Sequence, residues 1–311
     1  LYISQTSGDF RVEKNQIYLI DTKTGGKLGM QLENIGCSAA NPGFIVNNMI
    51  SGSCTGTADL SGVKPGGIWI DSSSANLKVL YNTVRIFCGT VTAAYAETSN
   101  AFITGATVSD IQVMNNIFSN FSKGYAYYVS ELNTVTVSNF NGYYTESSRP
   151  FYWKQMRATL AALQHANSDD VNSCDTLQPY FAAEDDLHLV MTNFVGKAQY
   201  TDDVIEDIDG TARMPIPEPT MGAHEMLLQS HDMAVVGILS PYVPNDTNFS
   251  YPNRMPVNIE GDSVFVKAQF YNNGRSIETN VMWYAYIEGH EAETRTPNIN
   301  LGTFTPAQMK G

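Results

Sequence analysis

The chain has 311 residues, 16% of them charged, and a net charge of −13. That acidity, with no Lys/Arg cluster anywhere, excludes nucleic acid as a partner, because a phosphate backbone is held by grouped cations. No apolar run approaches the roughly 18 residues of a membrane-spanning helix, and the abundance of Asn, Ser, Thr, Gly and Tyr reads as an all-β chain of exported type.

In chain order, the first signal is a repeat. Val12–Ile17, Ile45–Ile50, Val79–Val84 and Val113–Phe118 share the pattern apolar-x-x-Asn-x-apolar, which places Asn15, Asn48, Asn82 and Asn116 at steps of 33, 34 and 34 residues. A second element keeps the same period: Gly29-Met30-Gln31-Leu32, Gly67-Ile68-Trp69-Ile70 and Ala101-Phe102-Ile103-Thr104. A shorter rung follows, in which Tyr127-Tyr128-Val129 and Val135-Thr136-Val137 reprise the two strands. Two elements on one period predict a solenoid, since a single rung cannot bury its own apolar face and stacked rungs can.

Stacking at about 4.8 Å per rung turns equivalent residues into columns. Val12, Ile45, Val79 and Val113 are expected inside. The four Asn are expected in one axial column, about 5 Å apart, each amide offering a donor and an acceptor to its neighbours. If Ile68 and Ile70 point inward, Trp69 points outward, and the same register puts Tyr128 on that face about 10 Å away. Such rings suit sugar faces; they also serve simply to cover a sheet. Lys78 and Arg85 read as outward, with no carboxylate column beside them.

The cysteines (Cys37, Cys54, Cys88, Cys174) lack CxxC spacing, which disfavours a zinc ribbon or redox motif. Cys54 and Cys88 lie one period apart and are expected as stacked free thiols, because in-register parallel neighbours hold Cβ atoms farther apart than a disulfide does. Gly52-Ser53-Cys54-Thr55-Gly56 imitates a nucleophile elbow, without the helix that motif requires.

After about residue 139 the repeat gives way to single-copy text: Asn141-Gly142-Tyr143-Tyr144, Pro179-Tyr180-Phe181, Asp186-Leu187-His188-Leu189, Asp207-Ile208-Asp209-Gly210-Thr211-Ala212-Arg213 and Met221-Gly222-Ala223-His224-Glu225. This succession resembles the C-terminal end of secreted bacterial right-handed parallel β-helix proteins with PbH1 repeats, over roughly residues 10–228. The resemblance implies a surface or secreted protein, in many relatives a type IX secretion cargo, and in some relatives of the fold a polysaccharide lyase. The closing motifs read as a cap over exposed strand edges, with Arg213 and Glu225 paired across it. Asp202, Asp203, Glu206, Asp207 and Asp209 also invite a structural calcium ion, although their spacing departs from the EF-hand loop.

Residues 229–311 carry period-two strands around Met233–Val236, Val264–Phe270 and Val281–Ile287, with a turn at Asn272-Asn273-Gly274. Phe270-Tyr271-Asn272-Asn273-Gly274 with Trp283 and Asn300-Leu301-Gly302 resembles bacterial Ig-like modules of the CARDB type. The expected architecture is therefore all-β: a right-handed parallel β-helix over residues 1–228, with its cap, then an Ig-like sandwich. Too few strands are visible to close that sandwich, and Leu1 opens inside strand-like sequence, so a longer natural chain is expected at both ends.

The function expected from these readings is a non-catalytic secreted or cell-surface protein. In it the β-helix is a stalk or an adhesin-like glycan surface contacting extracellular polysaccharide or a host or bacterial surface, and the Ig-like module is a spacer. The alternatives are a polysaccharide lyase or hydrolase, and a purely structural cargo of secretion or outer-membrane machinery. No cofactor is expected beyond the structural calcium ion, and the five His show no metal-ligand spacing in sequence.

Overall fold

The computed structural model describes residues 1–21, 28–54, 66–87, 99–240, 266–286, 289 and 295–311. They form two compact units, one of Leu1–Leu189 with Phe194–Met226, the other of Val190–Asn193 with Leu227–Gly311.

The first unit is built from sets of three strands. They run β1 (Tyr2–Ser7), β2 (Arg11–Glu13), β3 (Gln16–Asp21); β4 (Leu28–Gly36), β5 (Gly43–Val46), β6 (Met49–Cys54); and β7 (Gly66–Asp71), β8 (Ala75–Leu80), β9 (Thr83–Phe87). Two further sets follow: β10 (Asn100–Thr104), β11 (Ser109–Met114), β12 (Ile117–Asn120), then β13 (Tyr125–Val129), β14 (Val135–Asn139), β15 (Gly142–Thr145). Each strand pairs in parallel with the strand three places on, giving one twelve-stranded and one five-stranded sheet. The long strand β4 joins two faces of the larger sheet, because its last residue, Gly36, pairs with Ala75 of β8.

The core follows from strand alternation. Met30, Ile68, Phe102, Tyr127 and Phe151 stack in one column, each fully buried. Aliphatic residues fill the early rungs; from Phe102 onward the core is aromatic. There Phe102 and Phe118 have ring centroids 5.2 Å apart, and Tyr127 and Tyr143 are 5.3 Å apart. Gly67 is required where two faces meet, since a Cβ there would lie 2.1 Å from Val84 Cγ1.

The four Asn of the repeat form a ladder, and the structure adds a fifth. Asn15 Nδ2 donates to Asn48 Oδ1 at 2.8 Å, Asn48 to Asn82 at 2.9 Å, Asn82 to Asn116 at 3.0 Å, and Asn116 to Asn141 at 3.0 Å. Each acceptor oxygen also takes the backbone N–H of the preceding Asn. The spare Nδ2 proton of Asn48, Asn82, Asn116 and Asn141 goes to a carbonyl of the rung before. The residue before every ladder Asn is left-handed: Lys14, Asn47, Tyr81, Asn115 and Phe140 all have φ between 53° and 62°. This single left-handed residue swings the chain from one face to the next, and its repetition keeps the turns superposed.

The final rung is covered by a short hairpin of β16 (Phe151–Trp153) and β17 (Gln155–Arg157), and by helix α1 (Leu160–Asn167), which Thr159 caps through Ala162 N at 3.1 Å. Asp170 closes the polar end of the aromatic core, accepting from Tyr143 Oη at 2.9 Å and Ser173 Oγ at 2.6 Å. The segments 177–189 and 194–226 do something other than cap the end. They run back along the column of left-handed turns as a strap. Asn115 Nδ2 and Tyr81 Oη both donate to Gln199 O, Asn47 Nδ2 donates to Glu206 O, and Lys14 meets Glu206 at 2.6 Å. The expectation of an end cap spanning the whole tail is corrected accordingly: the turn column presents polar side chains along the side of the stack, and they satisfy carbonyls of the strap's backbone.

In the second unit, β18 (Met233–Ser240), β19 (Lys267–Asn272) and β22 (Met309–Lys310) form an antiparallel sheet, and β20 (Glu278–Trp283) pairs with β21 (Ile299–Phe304). Phe270 and Phe304 anchor its core beside Trp283. The turn at Asn272–Gly274 leads from one sheet to the other, so β19 and β20 are not a hairpin. Of the expected strand positions, Val264 and Ile287 lie outside the described residues.

Candidate functional site

The outward residues of β5, β8, β11 and β14 line a groove of about 540 Å³. Phe44, Lys78 and Gln112 face one another across successive rungs by strand register. Asn76 and Asp110 join them from equivalent positions on successive rungs, each with φ +56°; a left-handed residue breaks the strand's alternation and turns an extra side chain toward the groove. Asp203 of the strap forms the opposite wall.

Charge in the groove is partly committed. Lys78 Nζ lies 2.7 Å from Asp203 Oδ2 and 5.6 Å from the Phe44 ring centroid, and the Arg11 guanidinium lies 5.0 Å from that ring. Asn76, which lines the groove, donates to Cys37 O at 2.9 Å. Among the described residues, the carboxylate of Asp110 and the amide of Gln112 make no hydrogen bond or ion pair, and Asp110 is exposed. The groove therefore offers an apolar floor at Phe44, one neutralised ion pair, and free acceptors and donors: the makings of a seat for a hydroxylated ligand.

Trp69 and Tyr128 share the outward column of another face, with Ile103 between them, and both are half-buried. Tyr152 continues the column. The Tyr128 and Tyr152 rings stack 4.3 Å apart within 5° of parallel, and Tyr125 meets both edge-on. Tyr128 thus spends one ring face on its neighbour, and the expected platform of Trp69 and Tyr128 loses that face to packing.

By sequence, Lys78 and Arg85 face outward without carboxylates. The strap supplies one for each, Asp203 to Lys78 and Glu184 at 3.7 Å from Arg85. The five candidate calcium ligands do not converge, and Glu206 is paired with Lys14. Asp203 is turned onto Lys78, while Asp207 is fully buried and accepts the backbone N–H groups of Asp209, Thr211 and Glu225. Asp209 bonds His188 Nε2 at 2.9 Å, and Asp202 is exposed.

Among the described residues, the one grouping with metal-ligand proximity is Asp207, Asp209 and His224. Its donors are already spent. His224 Nδ1 accepts Leu189 N–H at 3.1 Å, which fixes the neutral ring as the Nε2–H tautomer and leaves no lone pair at Nε2 for a cation. The same cluster is a paired-histidine contact: the His188 and His224 rings meet edge-on at 4.8 Å. Both His188 nitrogens face carboxylates, Asp186 and Asp209. Burial works to lower the His188 pKa, and these carboxylates override it, so the net shift is upward; burial and His188 together push His224 downward. Sequence spacing could not reveal this pair, although both histidines sit in the motifs that mark the tail.

Arg213 and Glu225 lie 2.7 Å apart, the guanidinium side chain fully buried. Arg213 also donates to Thr220 O, Gly222 O and Asn47 Oδ1, and stacks 3.9 Å from the Tyr81 ring centroid. Its role is to pin the strap onto the turn column. Cys37 is buried and Cys174 half-buried, both as free thiols, and burial pushes Cys174 up to about 11. Cys88 and the Cys54 side chain lie outside the described residues, so the expected thiol stack does too.

Fold and site together define an all-β chain of stacked parallel strands with a polar side groove. No family model, curated protein or solved structure matches it. Among the described residues, no helix is long and apolar enough to cross a membrane.

Proposed function

We propose that this chain is a non-catalytic carbohydrate-binding and display segment of a secreted or cell-surface bacterial protein. Its first unit is read as a right-handed parallel β-helix, the hand that parallel crossovers almost always take, and its second as an Ig-like spacer. The observation that carries the reading is the groove over Phe44, where Asp110 and Gln112 stand ready to bond hydroxyl groups. A binding role fits better than catalysis. A hydrolase needs two carboxylates at work, and here one of the pair, Asp203, is tied to Lys78. A lyase needs a free base, and Lys78 is the side chain so tied.

The test is a glycan array followed by calorimetry on the best ligand. Gln112→Ala and Asp110→Asn should each weaken binding about tenfold, the scale of a lost hydrogen bond or two, with melting temperature unchanged. An array without hits, or steady release of cleaved product from a bound glycan, would sink the proposal.

A further inference from the structure

A second polar cluster lies on the outward face of the five-stranded sheet. Tyr18, Ser51, Arg85, Ser119 and Tyr144 occupy one column, each in register with the next. Ser51 and Arg85 are almost wholly buried, at 1% and 5% exposure. Glu184 of the strap reaches over them: its Oε1 is 3.7 Å from Arg85 Nη2, and its Oε2 accepts from Tyr18 Oη at 3.4 Å. The guanidinium is flanked by the Phe87 and Phe121 rings, 5.6 and 5.5 Å from their centroids.

What sets this place apart is its unmet hydrogen bonding. Ser51 Oγ, Arg85 Nη1 and Glu184 Oε1 are all buried atoms without a hydrogen-bond partner. A buried unpaired polar atom costs about 1–3 kcal/mol, more when charged. Three of them, on one cation, one anion and one hydroxyl on neighbouring residues, are therefore placed to take a further polar partner. At 3.7 Å the ion pair is too long for a direct hydrogen bond, and an oxygen set to one side of it would lie within hydrogen-bond distance of both groups. That oxygen must accept from Arg85 and donate to Glu184, and it can exchange a bond with Ser51. A carboxylate meets only the first demand and an ammonium only the second. A hydroxyl meets both, and the cluster, with one cation and one anion, calls for an uncharged ligand.

We propose that Ser51, Arg85 and Glu184 form a second ligand site, which binds a neutral polyol or sugar through one hydroxyl clamped between the two charges. Tyr18 and Glu184 border it on the solvent side, their side chains keeping some exposure (22% for Glu184). The site stands independently of the groove over Phe44, on a different sheet and with no residue shared.

The experiment is calorimetric titration of the whole chain with a panel of neutral mono- and disaccharides, with uronates and glycerol as comparisons, on wild type, Ser51→Ala, Glu184→Gln and Gln112→Ala. The expected result is two-component binding of a neutral sugar, in which one component falls about tenfold in Ser51→Ala and in Glu184→Gln and survives Gln112→Ala, which weakens only the component belonging to the groove over Phe44. Sensitivity to Gln112→Ala alone would assign all affinity to the groove and overturn the second site. So would a high-resolution crystal structure, soaked in the sugar, with a lone water bridging the three atoms. Arg85→Met risks misfolding, whereas Ser51→Ala and Glu184→Gln each alter one partner and leave the buried cation in place.

Discussion

The Asn ladder and the strap hold the same turn column from two sides, and they do so by opposite means. The ladder repeats one chemistry over four links: each amide donates to the Asn of the next rung, so successive members share the same kind of partner. The strap uses each contact once, with Gln199 on Tyr81 and Asn115, Glu206 on Lys14 and Asn47, and Arg213 on Asn47 and Tyr81. Repetition distributes stability along the stack. Single use concentrates it, because one buried pair fastens an entire segment. The two modes differ in how they should fail.

The strongest way to break the comparison is Arg213→Met. It leaves Glu225 buried beside Thr220 without its cation, and removal of one partner of a buried pair costs about 3–5 kcal/mol. Urea denaturation should show that loss, together with early proteolysis within residues 194–226. A change below about 1 kcal/mol would mean that the strap is not fastened there.

Next in size is the ladder. Asn82→Ala strips partners from the Asn48 and Asn116 amides in a fully buried position, and should cost about 2–3 kcal/mol. The same change at Asn15, half-buried at the first rung, should cost less than about 1 kcal/mol. Equal losses at the two positions would show that the ladder is not cooperative along its length.

The smallest effect concerns the strap and pH. His188, with its pKa raised by Asp186 and Asp209, contributes stability that is full below about 6.5, its ordinary value, and is lost as pH rises through the folded value. His224, with its pKa lowered, contributes in the opposite sense. Its share is full above about 6.5 and is lost as pH falls toward the folded value. The melting temperature should therefore peak near pH 6.5, about the ordinary histidine value, the alkaline limb flattening in His188→Gln and the acid limb in His224→Gln. A monotonic profile across that range in wild type would contradict the pairing.

The parts legible in the sequence were those the fold copies. Stacking parallel strands in register forces one period on every column, so Asn15, Asn48, Asn82 and Asn116 announced their shared place, and Ile68/Ile70 against Trp69 announced which side was inward. Even the fifth ladder Asn was written there: Asn141 precedes Gly-Tyr as Asn116 precedes Ile-Phe, but the shorter step of 25 residues from 116 to 141 hid it. What only the tertiary structure decided was everything made once. The partners of Lys78 and Arg85, the meeting of His188 with His224, and the path of the strap along the turns leave no period, because each joins distant residues by a contact the chain never repeats. The Tyr128 ring belongs to the same class. Its outward register was readable, whereas the stacking on Tyr152 that takes up one of its faces depends on packing across two rungs, which alternation alone does not encode.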